Sequence, residues 1–324
     1  MAYLSKAQVA QFEEQGYLAV DDLFDPQKDL EPIIEEYKGV LDRLAKELYA
    51  QGEISSTYAE LPFGKRLTQI YAESGKVHAQ YFDFSLPYPN IHEDTPMWVG
   101  PAVFNVMRNE RLLDAVESLI GPEIYSNPVQ HVRIKPPEHL TPKNPETGQV
   151  QLGATPWHQD NGVVLPEADD TQMLTVWFPL LDATEENGCL TVVPYSHRDG
   201  VLQHCPSGAG LHIPEHFFRK EDSVSVPLRQ GGALFMHRRT CHASLSNNSD
   251  DIRWSFDLRY NPIGQTTGRE AFPGFVARSQ SNPKTELHDA EAWADLWYQT
   301  RSRLAQQKEL APLNRWKADA PACA

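Results

Sequence analysis

The sequence predicts a mostly β protein with helices on one face, an α+β chain whose centre is an antiparallel double-sheet barrel of the jelly-roll or double-stranded β-helix type. Three observations carry this reading. Up to Gly121 the apolar residues recur at spacings of three and four, and beyond it the period falls to two. Short runs then follow at Met173–Leu180, Cys189–Val193, Ser223–Leu228, Ala233–His237, His242–Ser246 and Arg253–Tyr260. Their separators are turn chemistry rather than helices: Asn187-Gly188, Gly231-Gly232 and the polar run Asn247 to Asp251. Many short strands joined in this way behind a helical start fit a closed or double antiparallel sheet.

Taken in order, Ser5-Lys6-Ala7-Gln8 fits a capping box and Gly16 a left-handed stop, which predicts a helix over Lys6–Gln15 and then a strand over Tyr17–Val20. From Pro26 a long helix carries Leu30, Ile33, Ile34, Tyr37, Leu41, Leu44 and Leu48 on one stripe and ends at Gly52. That stripe is expected on the outer face of a sheet. Residues 53–105 give one helix, Lys65–Glu73, among aromatic residues scattered through Pro-rich turns, and Glu110–Ile120 closes at Gly121-Pro122. His131, Arg133 and Lys135 then share one strand face and Val132 and Ile134 the other, so the polar face is either a cavity wall or the solvent side of an edge strand. Residues 136–155 read as a loop. The tail from Gly264 reads as loop until a helix from Ala290 to Gln307, with Trp293, Leu296, Trp297 and Leu304 on one side. With no repeat and no linker, the expectation is one domain: a mainly helical part over 1–122, the jelly-roll core over 123–262, and a C-terminal loop and helix over 263–324.

The charge narrows the partners. The 324 residues hold 29 Lys and Arg against 44 Asp and Glu, a formal charge of -15, which disfavours nucleic acid and anionic membrane surfaces and leaves a small-molecule substrate. Cys189, Cys205, Cys241 and Cys323 are widely spaced and form no Cys-x-x-Cys pair, so they read as buried thiols in a reducing cytosol. No secretory signal and no apolar stretch of about twenty residues is visible, and the expected location is cytoplasmic.

His-x-Asp occurs at His92, His158 and His197. The middle one, inside Trp157–Gly162, gains meaning from two later strands. Arg253-Trp254-Ser255-Phe256-Asp257-Leu258-Arg259-Tyr260 alternates without a break, so Arg253, Ser255, Asp257 and Arg259 share a face. His242 and Ser244 share a face of the preceding strand, and the polar turn between the two predicts a hairpin that pairs them with Arg253 and Ser255. An inward Arg is expensive unless an anion meets it; Asp257, Asp182 or a ligand carboxylate are the choices. Two imidazoles and one carboxylate at a point make a ferrous site with open positions. His92 reads as structural, His197 as a turn residue, and His237 as a packed strand end that would change places with His242 if the register slipped. Arg238 and Arg239 are either solvated or placed to meet an acidic substrate.

The ordered set His158-Gln159-Asp160, Asn187-Gly188-Cys189-Leu190, Pro194-Tyr195-Ser196-His197 and His242-Ala243-Ser244 with Arg253 beyond it resembles the phytanoyl-CoA dioxygenase family of iron(II) and 2-oxoglutarate-dependent oxygenases. The opening Phe12-Glu13-Glu14-Gln15-Gly16-Tyr17-Leu18 is similar as well, while 53–100, 137–153, 203–222 and the tail lie outside the likeness. The resemblance implies that His158, Asp160 and His242 bind Fe(II), that Arg253 clamps the distal carboxylate of 2-oxoglutarate, that Ser244 adds a hydroxyl contact, that Lys135 is a second basic contact, and that Trp177 borders the cosubstrate. Three protein ligands leave two positions for the keto acid and one for O2. The implied reaction couples oxidative decarboxylation of 2-oxoglutarate to hydroxylation of a small organic substrate. Tyr195 and Gly232 stand where the family commonly has Gly and Asp. Asp160 stands where related halogenases have a small residue, which favours hydroxylation. The alternative is a cupin-like metal protein, an isomerase, hydrolase or ligand-binding barrel without 2-oxoglutarate, for which Arg253 has no evident use.

Overall fold

A computed structural model describes residues 3–208 and 210–323, and its helices begin and end where local chemistry dictates. In α1 (Lys6–Gln15) the Ser5 hydroxyl and the Gln8 side chain cap each other's main chain, and Gly16 closes the helix at φ 80°. Strand β1 (Tyr17–Val20) follows, then a π-helical turn over Pro26–Leu30 that leads into α2 (Glu31–Gln51), stopped by left-handed Gly52. The remaining helices are α3 (Phe63–Ser74), α4 (Pro101–Met107), α5 (Glu110–Ile120, capped by Asn109) and α6 (Ala290–Ala305, capped by Asp289). Helix α4 lies in the stretch where the sequence offered only Lys65–Glu73; its seven residues are too few to show a period.

The later strands are β2 (Glu123–Lys135), β3 (Leu174–Pro179), β4 (Leu190–Val192), β5 (Cys205–Ser207), β6 (Gly210–His212), β7 (Val224–Val226), β8 (Ala233–His237), β9 (His242–Ser244), β10 (Arg253–Pro262) and β11 (Phe275–Ser279). A large sheet runs β1-β8-β3-β10-β2-β11 and a small one β7-β4-β9, every pairing antiparallel, with β5 and β6 a separate ribbon. Alternation along each strand sorts the side chains. Trp254, Phe256 and Leu258 of β10, with Val176 and Phe178 of β3, face the helices, where Tyr37 of α2 meets Trp254 edge-on at 5.3 Å. Trp177, Leu234 and Met236 face the other way and pack with Leu190, Val192 and Val226 of the small sheet. The two sheets therefore enclose a jelly-roll interior, and the stripe of α2 covers the outer face of the large sheet as its spacing required.

Four expectations need correction. The strands of His242 and Arg253 do not form a hairpin: β9 pairs with β4 in the small sheet, and β10 pairs with β2 and β3 in the large one. Residues 245–252 cross from sheet to sheet; a period of two fixes which side chains share a face but not which strand lies alongside. The predicted strand at His131–Lys135 begins at Glu123, its earlier half hidden because Pro128 and a register shift interrupt the pattern. The tail read as loop supplies β11 to the edge of the large sheet. Finally, Cys205 and Cys323 form a disulfide, whereas Cys189 and Cys241 are buried thiols. A pairing across 118 residues leaves no trace in local spacing. Among the described residues no helix is long and apolar enough to cross a membrane.

Candidate metal centre

The site lies between the sheets. His158 sits just before a 3-10 turn over Asp160–Val163, and it meets His242 of β9 as an isolated antiparallel bridge with main-chain bonds of 2.9 and 3.0 Å. This pairing sets the two imidazoles 4.2 Å apart, centre to centre. Each ring is turned by its own neighbourhood: His158 Nδ1 lies 2.8 Å from the Pro156 carbonyl and His242 Nδ1 2.9 Å from the Thr240 carbonyl. A carbonyl only accepts, so Nδ1 carries the proton and Nε2 keeps a free lone pair, the arrangement a metal-binding His requires. Burial, then the neighbouring His242, holds His158 well below the usual imidazole range and so in the neutral ligand form.

Asp160 completes the group. One atom each from His158, Asp160 and His242 lies within 4.8 Å of the others, a donor set of two nitrogens and an oxygen that fits a divalent first-row metal. The carboxylate is 1% exposed, and burial alone would raise its pKa. Arg259, with the two imidazoles and the Thr175 hydroxyl, outweighs burial and holds it below the usual carboxylate range. Arg259 Nη2 donates to Asp160 Oδ1 and, at 3.1 Å, to Asp257 Oδ2, while Nη1 donates to the Val129 carbonyl at 2.8 Å; Thr175 Oγ1 donates to Asp160 Oδ2. Each carboxylate oxygen has a second acceptor position left for a cation.

From this group a cavity of about 120 Å³ runs past Met236 and Trp177 to Arg253. Arg253 is 2% exposed, and no carboxylate of the described residues lies within 4.0 Å of it. Asp257, one proposed partner, is taken by Arg259, and Asp182 accepts from the Gln230 main chain. Arg253 donates to Ser255 Oγ, leaves Nε without a partner and lies 5.7 Å from the Trp177 ring. Burial first, then the charge of Arg133, pushes it down to about 9. Lys135, the register partner of Arg253, donates to Ser244 Oγ at 2.7 Å and Thr155 Oγ1 at 2.9 Å. The Thr155 amide also donates to Ser244 Oγ at 2.7 Å, so both lone pairs of that hydroxyl are used and its proton remains to be donated. Strand β11 pairs only with Glu123–Ser126 and leaves the His131–Lys135 half of β2 at the edge of the sheet, but His131 and Arg133 line the cavity, so this polar face is a cavity wall.

The competing histidines stay apart. His92 is exposed, and His197 bonds the Glu13 carbonyl and packs on His237. His237 Nδ1 accepts from the Arg239 amide, so no register slip has exchanged it with His242. Arg239 donates to the Asp169 carbonyl, and neither it nor Arg238 lines the cavity. Three residues around the site were not assigned to it from the sequence: Thr175, Arg259 and His204. Arg259 lay on the inferred inward face, where a second Arg demanded an anion, and the buried Asp160 was that anion. His204, fully buried, accepts from the Gln159 amide at 2.9 Å and packs so close to Gly162 that a Cβ there would lie 2.1 Å from its ring; it sits in a segment with no pattern. Tyr195, where the family commonly has Gly, stands in the left-handed region at φ 67°, and its carbonyl accepts from the Arg198 amide at 3.1 Å.

A family model described as phytanoyl-CoA dioxygenase (PhyH) matches residues 12–255. Phytanoyl-CoA dioxygenase domain-containing protein 1 of Danio rerio is 24% identical over 271 residues, spanning 78% of this chain and 88% of the relative. A 1-deoxypentalenic acid 11-beta-hydroxylase of Streptomyces arenae is 29% identical over 166 residues, 44% of this chain and 57% of the relative. Among solved structures, the apo form of the non-heme monooxygenase ThoJ superposes with a TM-score of 0.55 at 20% identity, covering 92% of this chain and 97% of the other. At that identity the likeness is one of fold.

Proposed function

The chain belongs to the phytanoyl-CoA dioxygenase family, and from that premise we propose that it hydroxylates a small organic molecule through iron held by His158, Asp160 and His242. As a family member it is a non-haem iron(II) oxygenase that uses 2-oxoglutarate and dioxygen. The observation that carries the assignment of residues is Arg253, a buried cation with no anion of the described residues beside it, at the far end of the cavity that begins at the two imidazoles. A dicarboxylate with one end chelating the metal and the other on Arg253 satisfies both ends of that cavity.

Iron supplies the means of splitting dioxygen as 2-oxoglutarate is oxidised; one oxygen atom ends in succinate, the other in the substrate, and the keto acid leaves its first carbon as carbon dioxide. The protein's part is placement. Arg259 and Thr175 hold the Asp160 carboxylate, and the Pro156 and Thr240 carbonyls orient the imidazoles. Arg253 takes the distal carboxylate, Ser244 donates its free proton to the same group, Lys135 holds Ser244 in place as a second basic contact, and Trp177 forms the wall beside Arg253. Hydroxylation is favoured over halogenation by Asp160, whose carboxylate fills the position a halide would need, and the Streptomyces relative bears the name of a hydroxylase. The test is turnover with Fe(II), 2-oxoglutarate and isotopically labelled dioxygen over a panel of small organic acids. One labelled oxygen in the product for each succinate supports hydroxylation; a product without label, at equal succinate, assigns desaturation, epimerisation or ring closure instead.

A further inference from the structure

Three side chains of β2 face the interior, and two of them are already engaged. His131 Nδ1 lies 2.8 Å from Asp83 Oδ2, and Lys135 Nζ bonds Ser244 and Thr155. Arg133, between them, has no hydrogen-bonding or ionic partner for its guanidinium among the described residues. It is half-buried and borders two spaces at once: the inner cavity that holds His158, His242 and Arg253, and an open cleft of about 950 Å³ that leads from His158 to solvent. Register fixes its height. Lys135 stands opposite Arg253, Arg133 opposite Ser255, and His131 opposite Asp257, so a ligand stretched from Arg253 to the metal group passes the rung of Arg133.

We propose that Arg133 anchors a substrate carrying a carboxylate, which enters by the open cleft and lies beside the cosubstrate with its charge on that guanidinium. This rests on the assignment of Arg253 to 2-oxoglutarate. The pairing supports it: the cosubstrate's two carboxylates go to the metal and to Arg253, Asp160 and Asp257 are both held by Arg259, and no carboxylate of the described residues lies within 4.0 Å of Arg133. The Arg133 charge already depresses the protonation of both Arg253 and Lys135, though burial is the larger cause in each. The cleft also departs from the molecule around it. The chain carries a formal charge of -15, yet Arg133, Lys135 and Lys143 line the cleft against a single acid, Glu138. Such a wall concentrates anions locally. Leu152, Val163 and Leu211 lie on the same lining and give an acid's apolar body something to pack on.

The test is calorimetric titration of the anaerobic protein, loaded with Fe(II) and 2-oxoglutarate, with hexanoate and benzoate and with their neutral amides as controls. At least one acid should bind, its amide should bind more weakly by about tenfold or more, and Arg133→Gln should weaken the acid by a similar factor. Arg133→Lys should retain most of the acid's affinity. Binding of neither acid, equal binding of acid and amide, or acid binding undiminished in Arg133→Gln overturns the proposal. The absorption band of chelated 2-oxoglutarate is read in the same samples. Its absence in the unaltered protein sinks the cosubstrate assignment itself; its loss in Arg133→Gln alone transfers Arg133 to the cosubstrate and overturns the proposal.

Discussion

His158 and His242 stand opposite each other as an antiparallel pair that exchanges both main-chain bonds, although 84 residues separate them in the chain. The metal group is thus built on backbone pairing and not on loop side chains alone. His242→Ala should abolish Fe(II) binding measured by calorimetry, while His237→Ala should leave it within about twofold, because His237 is engaged with the Arg239 amide and the His197 ring. Retention of iron by His242→Ala would remove His242 from the ligand set.

Arg259 is the counter-charge of Asp160. Arg259→Leu leaves a carboxylate buried without its partner, which should cost about 3–5 kcal/mol in denaturant unfolding. Metal affinity should fall about tenfold to a hundredfold, since the carboxylate loses its orientation. Arg259→Lys, which keeps the charge but not the fork to Asp160 and Asp257, should lie between. A fall in stability with unchanged metal affinity would restrict Arg259 to folding.

Acid should destabilise the protein through His204. Burial pushes this imidazole from 6.5 down to about 4, so the unfolded chain takes up a proton that the folded one refuses. Its contribution is complete above pH 6.5 and is lost as pH falls from there to about 4, a change of about 3 kcal/mol. His204→Gln keeps an acceptor for the Gln159 amide and should flatten the dependence of unfolding free energy on pH in that window. The remaining slope belongs to groups such as His237, which burial pushes down to about 3.

The disulfide secures the end of the chain over the site's outer wall. Trp316 Nε1 donates to the Gly162 carbonyl at 2.6 Å and its ring lies on His204, with Arg315 paired to Asp169 just before it. Cys323→Ser should lower stability by about 2–4 kcal/mol. It should also speed amide exchange over residues 307–323 with little change in the central strands; unchanged exchange there would mean that the Trp316 and Arg315 contacts hold the tail unaided.

What could be read in advance follows a physical division. Alternation along Arg253–Tyr260 and His131–Lys135 put the polar side chains of each strand on one face, because the period of a strand is intrinsic to it; that the His131–Lys135 face turns to the cavity depends on the fold. The caps at Ser5 and Gly16 and the stripe of α2 were equally local. The partner of β9 was not, since pairing depends on the path of the whole chain, and neither was the bond between Cys205 and Cys323. Strand β11 follows Pro273-Gly274 and spans five residues, too short for a period to stand out. His158, Asp160 and His242 were legible through resemblance. The residues that hold them in place, Arg259, Thr175 and His204, belong to the packing around the site and carry no motif.

The central claim is that a dicarboxylate spans the cavity from the metal group to Arg253. Anaerobic titration of the Fe(II)-loaded protein with 2-oxoglutarate should raise the visible charge-transfer band of a chelated keto acid. In Arg253→Leu the same band should require at least about tenfold more 2-oxoglutarate, with iron bound as tightly as before. A folded, iron-loaded protein that develops no band at saturating 2-oxoglutarate, or an Arg253→Leu variant that titrates like the unaltered protein, would contradict it.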